Sequence, residues 1–310
     1  MDGIFNIDKP RGMTSHDVVA RVRRLAHQKR VGHSGTLDPE ATGVLLVCLG
    51  QATRVAEYLS ESGKAYRATI RFGMVTDTYD GEGEVLSTAD VQITRDDIEA
   101  ALPAFLGRQA QMPPIYSAIK RAGQPLYKLA RAGAEVTVEP RMVEINALTV
   151  VSWHSPDLVL DVECGSGTYI RSLAHDLGQR LGPGAFLAGL TRTRSGPFTL
   201  DTSITLDRLE QAFADGTWSD HLNAPDEALL SCHAVILGAS SESRVRNGQL
   251  LAFPASAPLA ETAPERAPEE REWPLLRAYS IDGRFLGILR WEPGQQAWHP
   301  HKVLLVEPVE

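Results

Sequence analysis

Residues 32–50 read GHSGTLDPEATGVLLVCLG. From Arg30 to Gly43 the chain mixes Gly, Ser, Thr, Pro and charged residues, which predicts a loop, and the apolar run VLLVCLG after it predicts a strand. Asp38 stands inside that loop, with Pro39 fixing the backbone after it. Taken alone, an Asp before a Pro is a turn former. Loops held by a rigid scaffold also carry chemistry, so Asp38 needs a second argument before it is more than a turn.

Upstream, Thr14 and Ser15 are good N-cap residues, Asp17 follows in the first turn, and Val18, Val19, Val22 and Leu25 recur at helical spacing. A helix is expected to run to about His27, with arginines between the apolar positions giving it a basic outer face. Downstream, Tyr66, Ala68, Ile70 and Phe72 alternate with Arg67, Thr69 and Arg71, the pattern of a half-buried strand. Thr94 is placed to cap a helix carrying Ile98, Leu102 and Phe105. Leu158, Leu160 and Val162 alternate as a strand, and Ile170, Leu173, Leu177 and Leu181 follow with helical period. Strands and helices are interspersed without a repeated βαβ order, so the class is α+β with a mixed, largely antiparallel sheet. After about Asp226 come short strand candidates, AVILG, LLAFP, RFLGILRW and HKVLLVEP, separated by turns. This divides the chain into a main domain, 1–225, and a small β domain, 226–310. The second carries an acidic, Pro- and Ala-rich insertion at about 257–272 that has little to bury.

The chain has 310 residues, with 43% hydrophobic and 23% charged residues, so fibrous and wholly disordered classes are excluded. The uncharged apolar run at residues 43–50 is too short to cross a bilayer, and MDGIFNIDKPRG lacks a leader's basic start and apolar stretch. The expectation is a cytoplasmic protein with no membrane partner. Cys48, Cys164 and Cys232 are isolated and odd in number, which favours buried thiols over a disulfide framework. The net charge of −8 argues against a polyanionic partner only if it is spread evenly. It is not: residues 201–272 hold 13 acidic and 5 basic residues, and the rest of the chain is balanced. The first fifty residues hold seven Lys or Arg against five acids, leaving room for a local basic surface.

No CxxC, HExxH or EF-hand loop occurs, and neither GxxxxGK[ST] nor a strand-linked GxGxxG is present, so neither a metal nor a nucleotide cofactor is expected. A GxSxG nucleophile elbow is absent too. What remains is Asp38.

Six blocks in order supply the second argument. They are NIDKPRGMTSHDVV, GHSGTLDPEATGVLLVCLGQATR, KAYRATIRFG with TDTYDGEG, QMPPIYSAIKRAGQPLYKLARAG, CGSGTYIRSLAHDLG and GAFLAGLTRTRSGPF. Together they resemble the bacterial tRNA pseudouridine synthases of the TruB family, over about residues 3–210. The resemblance implies a pseudouridine-synthase fold, followed by a PUA-like β-barrel that binds RNA, to which RNGQLLAFP and YSIDGRFLGILRW are similar. It implies isomerisation of uridine 55 in the T-loop of tRNA, with tRNA (T-stem and loop) as partner, no cofactor and no obligatory protein partner.

The same resemblance implies the roles. Asp38 is the catalytic carboxylate, and attack on the sugar, addition to the ring or removal of the C2′ proton are all open to it. Tyr66 stacks on the target uracil, and Leu190 lines a dry pocket with it. Arg171 pairs with Asp38, offsetting the cost of burying its charge. Tyr169 bonds in the pocket or serves in base removal. His33 lies beside the flipped nucleotide, and flipping costs on the order of a few kcal/mol. Lys9, Lys64 and the arginines of the first helix contact phosphates. Asp77 orients a pocket residue or the substrate, or simply forms its turn. Two other readings are a non-catalytic RNA-binding chaperone of tRNA folding and an enzyme directed by guide RNA and protein partners. The joint presence of Asp38, Tyr66, Tyr169 and Arg171 disfavours the first.

Overall fold

The computed structural model describes residues 1–116, 120–121, 124–125, 138–252 and 275–304. Residues 117–119, 122–123 and 126–133 of the QMPPIYSAIKRAGQPLYKLARAG block and the whole insertion at 257–272 lie outside the described residues. The chain opens with β1 (Gly3–Lys9), α1 (Ser15–Leu25), β2 (Val31–Ser34), β3 (Thr42–Leu49), α2 (Ala56–Glu61) and β4 (Lys64–Phe72). A hairpin of β5 (Met74–Thr76) and β6 (Val85–Thr88) precedes α3 (Arg95–Ala101) and β7 (Gly107–Gln111). Next come the short β8 (Lys120–Arg121) and β9 (Gln124–Pro125), then β10 (Arg141–His154), β11 (Asp157–Cys164), α4 (Ile170–Leu181) and β12 (Ala185–Ser195). Three short strands, β13 (Phe198–Thr199), β14 (Ile204–Thr205) and β15 (Leu222–Asn223), surround α5 (Leu206–Asp215).

The described strands form an 11-stranded sheet whose main path is β14-β1-β3-β12-β4-β11-β10-β7. β1–β14 and β3–β12 are parallel and the other neighbours on the path antiparallel, so the expected mixed α+β sheet is present. Thr14 and Thr94 both close capping boxes, with Asp17 and Asp97. The two boxes fix the starts of α1 and α3. The first helix ends at Leu25, two residues short of the sequence expectation.

β3 explains why its sequence is apolar without alternation: both of its faces are buried. Leu45, Val47 and Leu49 join Phe5, Ile7, Val18, Val22 and Ile70 in the main core, whereas Val44, Leu46 and Cys48 face a second core with Ile4, Leu59, Phe285, Ile288 and Leu304. β4 alternates, and its buried set is Tyr66, Ala68, Ile70 and Phe72. The predicted loop from Arg30 is a strand for its first residues: His33 pairs with Val47 and Ser34 with Leu46. Propensity misses β2 because Gly-His-Ser forms strands poorly; the β3 edge supplies the register.

The C-terminal region departs from expectation. β16 (His233–Leu237), β17 (Leu275–Ser280), β18 (Phe285–Glu292) and β19 (Ala297–Val303) make an open four-stranded sheet, and α6 (Ala239–Arg246) forms where only turns were expected. No closed barrel exists among the described residues. Val245 of α6 packs with Leu237, Leu276, Leu289 and Trp298, so a helix covers a face that barrel closure would otherwise bury. Cys48 and Cys164 are buried, and burial pushes their thiols up to about 12 and about 11; Cys232 is only half-buried. No described helix is long and apolar enough to cross a membrane.

Candidate active site

The N-terminal KPRGMTS element is a cradle for the Asp38 loop. Lys9 Nζ donates to the carbonyls of Pro10 (2.9 Å), Met13 (2.6 Å) and Pro39 (3.0 Å), and the Gly12 N–H also donates to Pro39 (2.9 Å). Ser15 Oγ accepts from the Leu37 N–H at 2.9 Å and donates to the Leu37 carbonyl at 3.1 Å. From the other side, the buried Arg192 donates to the carbonyls of Gly35 (2.9 Å) and Val44 (2.7 Å). Gly43 pairs with Arg192 at φ +94°, and a Cβ there would sit 2.3 Å from the Arg192 carbonyl oxygen. Asp38 is thus presented on a loop bonded on both flanks.

Its carboxylate stands at a cleft of about 400 Å³ lined by Lys64, Tyr66, Tyr169, Arg171, Leu190 and Arg192 among others. Arg171 Nε lies 3.2 Å from Asp38 Oδ2; the arginine side chain is 9% exposed and the aspartate 46%. Nη1 of the same guanidinium reaches Asp80 Oδ2 at 3.1 Å, and Nη2 donates to the Tyr116 carbonyl at 3.0 Å. One buried cation therefore joins two carboxylates, and Asp80 is fixed in turn by Thr78 Oγ1 (2.5 Å) and the Glu82 N–H (3.1 Å). A smaller pocket of about 110 Å³ lies across this ion pair and is lined by Asp38, Glu40, Asp80, Glu82 and Leu190. Burial, then Asp80, Glu40 and Asp38, push the Glu82 carboxyl up.

Tyr66 is 8% exposed; burial pushes its hydroxyl up, and Arg192 beside it, which hydrogen-bonds that hydroxyl, partly opposes the shift. Tyr169 caps α4, its N–H donating to Gln111 Oε1 at 2.8 Å and its carbonyl accepting from Gln111 Nε2 at 3.1 Å. Leu190 follows the register shift at Leu187/Gly189 on β12, an irregularity of the kind that re-aims side chains beside functional sites.

Four expected residues sit differently. Lys9 and Lys64 are buried, and all three donors of each are directed at main-chain carbonyls, those of Lys64 at Ser60 (2.8 Å), Ser62 (2.7 Å) and Leu59 (3.5 Å). Burial pulls both ammonium groups down to about 8, and neither offers a free donor to a phosphate. Asp77 does not line the cleft; its Oδ1 accepts from the Glu84 N–H at 2.8 Å and closes the hairpin tip. The acid that reaches Arg171 is Asp80, three positions on, in the same TDTYDGEG segment. His33 lies on β2, off the cleft, edge-on to His16 at 5.3 Å, with Nδ1 buried and without a hydrogen-bond partner among the described residues. Burial, then His16 and Arg192, hold its ring below the ordinary pKa. Asp80, Arg192 and Gln111 escaped the sequence reading, because spacing alone does not tell which of two acids in a turn meets a cation. Among the described residues no group of three His, Cys, Asp or Glu is arranged to hold a metal ion.

A chain of a Cbf5–Nop10–Gar1 complex superposes with a TM-score of 0.71 at 28% identity, covering 93% of this chain and 78% of that one. A chain of an H/ACA RNP bound to a substrate RNA containing 2′-deoxyuridine gives 0.74 at 26%, covering 98% and 85%. The fold built on this sheet is that of the pseudouridine synthases. Residues 23–170 match the N-terminal domain of the TruB family pseudouridylate synthases, and residues 171–232 the tRNA pseudouridylate synthase B C-terminal domain. The tRNA pseudouridine synthase B of Geobacter sulfurreducens is 49% identical over 249 residues, 80% of this chain and 82% of the relative. That of Dehalococcoides mccartyi is 44% identical over 306 residues, 98% and 97%. The chain belongs to the TruB family of pseudouridylate synthases.

Proposed function

We propose that this chain isomerises uridine 55 in the T-loop of tRNA to pseudouridine, with Asp38 as the catalytic carboxylate. The observation that carries the proposal is the Asp38–Arg171 pair at 3.2 Å, held at a cleft walled by Tyr66 and Leu190. In the reaction the bond from C1′ to uracil N1 breaks, the base turns, and C1′ joins C5; the C5 proton leaves and N1 regains one. The balance needs no electron carrier and no added group. A retaining glycosidase sets two carboxylates about the sugar because its leaving oxygen must be protonated and water must enter. Here water must be kept from C1′, so one carboxylate at a cleft where Tyr66 and Leu190 cover the base suits the chemistry. Arg171 holds the Asp38 carboxylate aimed into the cleft. The Tyr66 ring faces the base, Leu190 shields it, and Tyr169 bonds at the pocket edge. His33, beside the loop but off the cleft, suits contact with the nucleotides flanking the flipped base. The region from residue 226 is a second RNA-contacting unit on the T-stem side, its open sheet taking the place of a barrel.

The test is incubation of the purified protein, with EDTA, on an unmodified tRNA transcript, followed by mapping of the alkali-resistant carbodiimide adducts that pseudouridine forms. The expected product is pseudouridine at position 55, formed without added metal or protein partner. RNA binding without product would instead support the folding chaperone.

A further inference from the structure

Helix α4 presents Arg171 and, one turn later, His175 on the same face. Arg171 grips Asp80, and the His175 ring stacks on that of Tyr79, with centroids 3.9 Å and planes 22° apart. Two consecutive residues of the β5–β6 hairpin tip thus meet two consecutive turns of one helix. Tyr79 has φ +63°, a left-handed conformation that a bulky residue keeps only where its surroundings over-determine it. Those surroundings are visible. Its N–H donates to the Thr76 carbonyl at 3.3 Å, and its own carbonyl accepts from the Leu187 N–H at 2.9 Å. Asp80 also bridges to Leu187. Leu187 begins the register shift that leads to Leu190. The tip therefore ties α4, which carries Arg171, to β12, which carries Leu190.

The Asp80 carboxylate is oriented within the tip by Thr78 and Glu82. Those bonds do not fix where the tip lies relative to α4. The hairpin base is secured elsewhere, by the Gly73 N–H on the Gly184 carbonyl at 3.0 Å and by Val75 filling the space where a Gly184 Cβ would come. At the far end the ring stack adds a tie to α4 beside the Arg171 contacts with Asp80 (3.1 Å) and the Thr78 carbonyl (3.5 Å), and of these it is the one that does not pass through the arginine. His175 is itself steadied, with Nδ1 3.1 Å from Asp176 Oδ1 and Nε2 3.4 Å from Gln179 Nε2.

We infer that Tyr79 and His175 are positioning residues for the catalytic centre: their stack clamps the hairpin tip to α4 so that Asp80 keeps Arg171 against Asp38. The inference rests on the isomerase reading above. Neither residue lines either pocket, so both act through the arginine rather than on the substrate.

The experiment measures single-turnover pseudouridine formation and tRNA dissociation constants for Tyr79→Ala, His175→Ala, the double variant and Tyr79→Phe. Each alanine variant is expected to slow the reaction about tenfold or more, since small misplacements of catalytic groups are costly, with tRNA affinity unchanged. The double variant should be no slower than the slower single one, because the rings act as a unit. Tyr79→Phe should react at the parental rate, since the ring and not the hydroxyl makes the stack. A parental rate in Tyr79→Ala, or a double loss equal to the product of the single losses, overturns the inference. Hydrogen–deuterium exchange of residues 77–84 reads the clamp without activity: faster exchange in Tyr79→Ala than in Tyr79→Phe is expected, and equal protection overturns it. A parental protein that makes no pseudouridine counts against the functional reading alone.

Discussion

Arg171 occupies the first turn of α4, where a cation meets the positive end of the helix dipole, at a cost of about 0.3–1 kcal/mol. A charge-assisted hydrogen bond is worth about 1.5–3 kcal/mol, so the bond to Asp80 alone outweighs that cost, and the ion pair with the half-exposed Asp38 adds to the hold on the guanidinium. The pairing of Arg171 with Asp38 was legible through resemblance, while Asp80 was not, because Asp77 and Asp80 look alike in a turn-forming segment. The lysines failed for another reason. A lysine in a basic region reads as a phosphate ligand until the backbone shows three carbonyls converging on it. His33 gives a prediction at this scale. Burial holds its folded-state pKa below the ordinary 6.5, so the stability it contributes is full above that value and drains away as pH falls through the lower folded value. Thermal unfolding followed from pH 7 downward should show a declining midpoint before the carboxylates titrate, and His33→Gln should shrink that decline. An equally steep decline in the variant would contradict the assignment.

At the scale of elements, alternation was the most reliable guide. β4 and β11 were readable because one face of each is buried and the other carries charge, and capping boxes marked α1 and α3. β2 was unreadable because its register comes from β3 rather than from its own residues. The exposed face of β4 bears two cross-strand pairs, Arg67 with Asp161 and Arg71 with Asp157, both bonded at 2.7–2.8 Å. Their solvation limits their worth. Arg71→Ala should lower unfolding free energy by about 1 kcal/mol or less, whereas Ile70→Ala, one residue away and fully buried, should cost about 2–5 kcal/mol. Urea unfolding of the two variants compares them directly, and equal losses would mean that the exposed pairs carry the strand.

Across the whole molecule, the main sheet is buried on both sides near β1 and β3. Helices α1 and α5 lie over the main core, and residues from β18 and its neighbours, Phe285, Ile288 and Leu304, close the second. That apolar joint, with Lys302 reaching Glu57 at 2.9 Å and Arg54 donating to the Val303 carbonyl at 2.6 Å, holds the C-terminal sheet against the region that carries the Asp38 loop. The continuous apolar run of β3 records this arrangement in the sequence, but its C-terminal partners Phe285, Ile288 and Leu304 lie more than 230 residues away in the chain, and local pattern does not name them. Open sheet and closed barrel also share one alternation, so the C-terminal topology was beyond the reach of periodicity. The central claim concerns a single carboxylate and is tested most directly by Asp38→Asn, which keeps the side chain's size and removes its charge. Incubated with an unmodified tRNA transcript, the variant should bind the RNA with parental affinity and form no pseudouridine at position 55; formation at the parental rate would contradict the account.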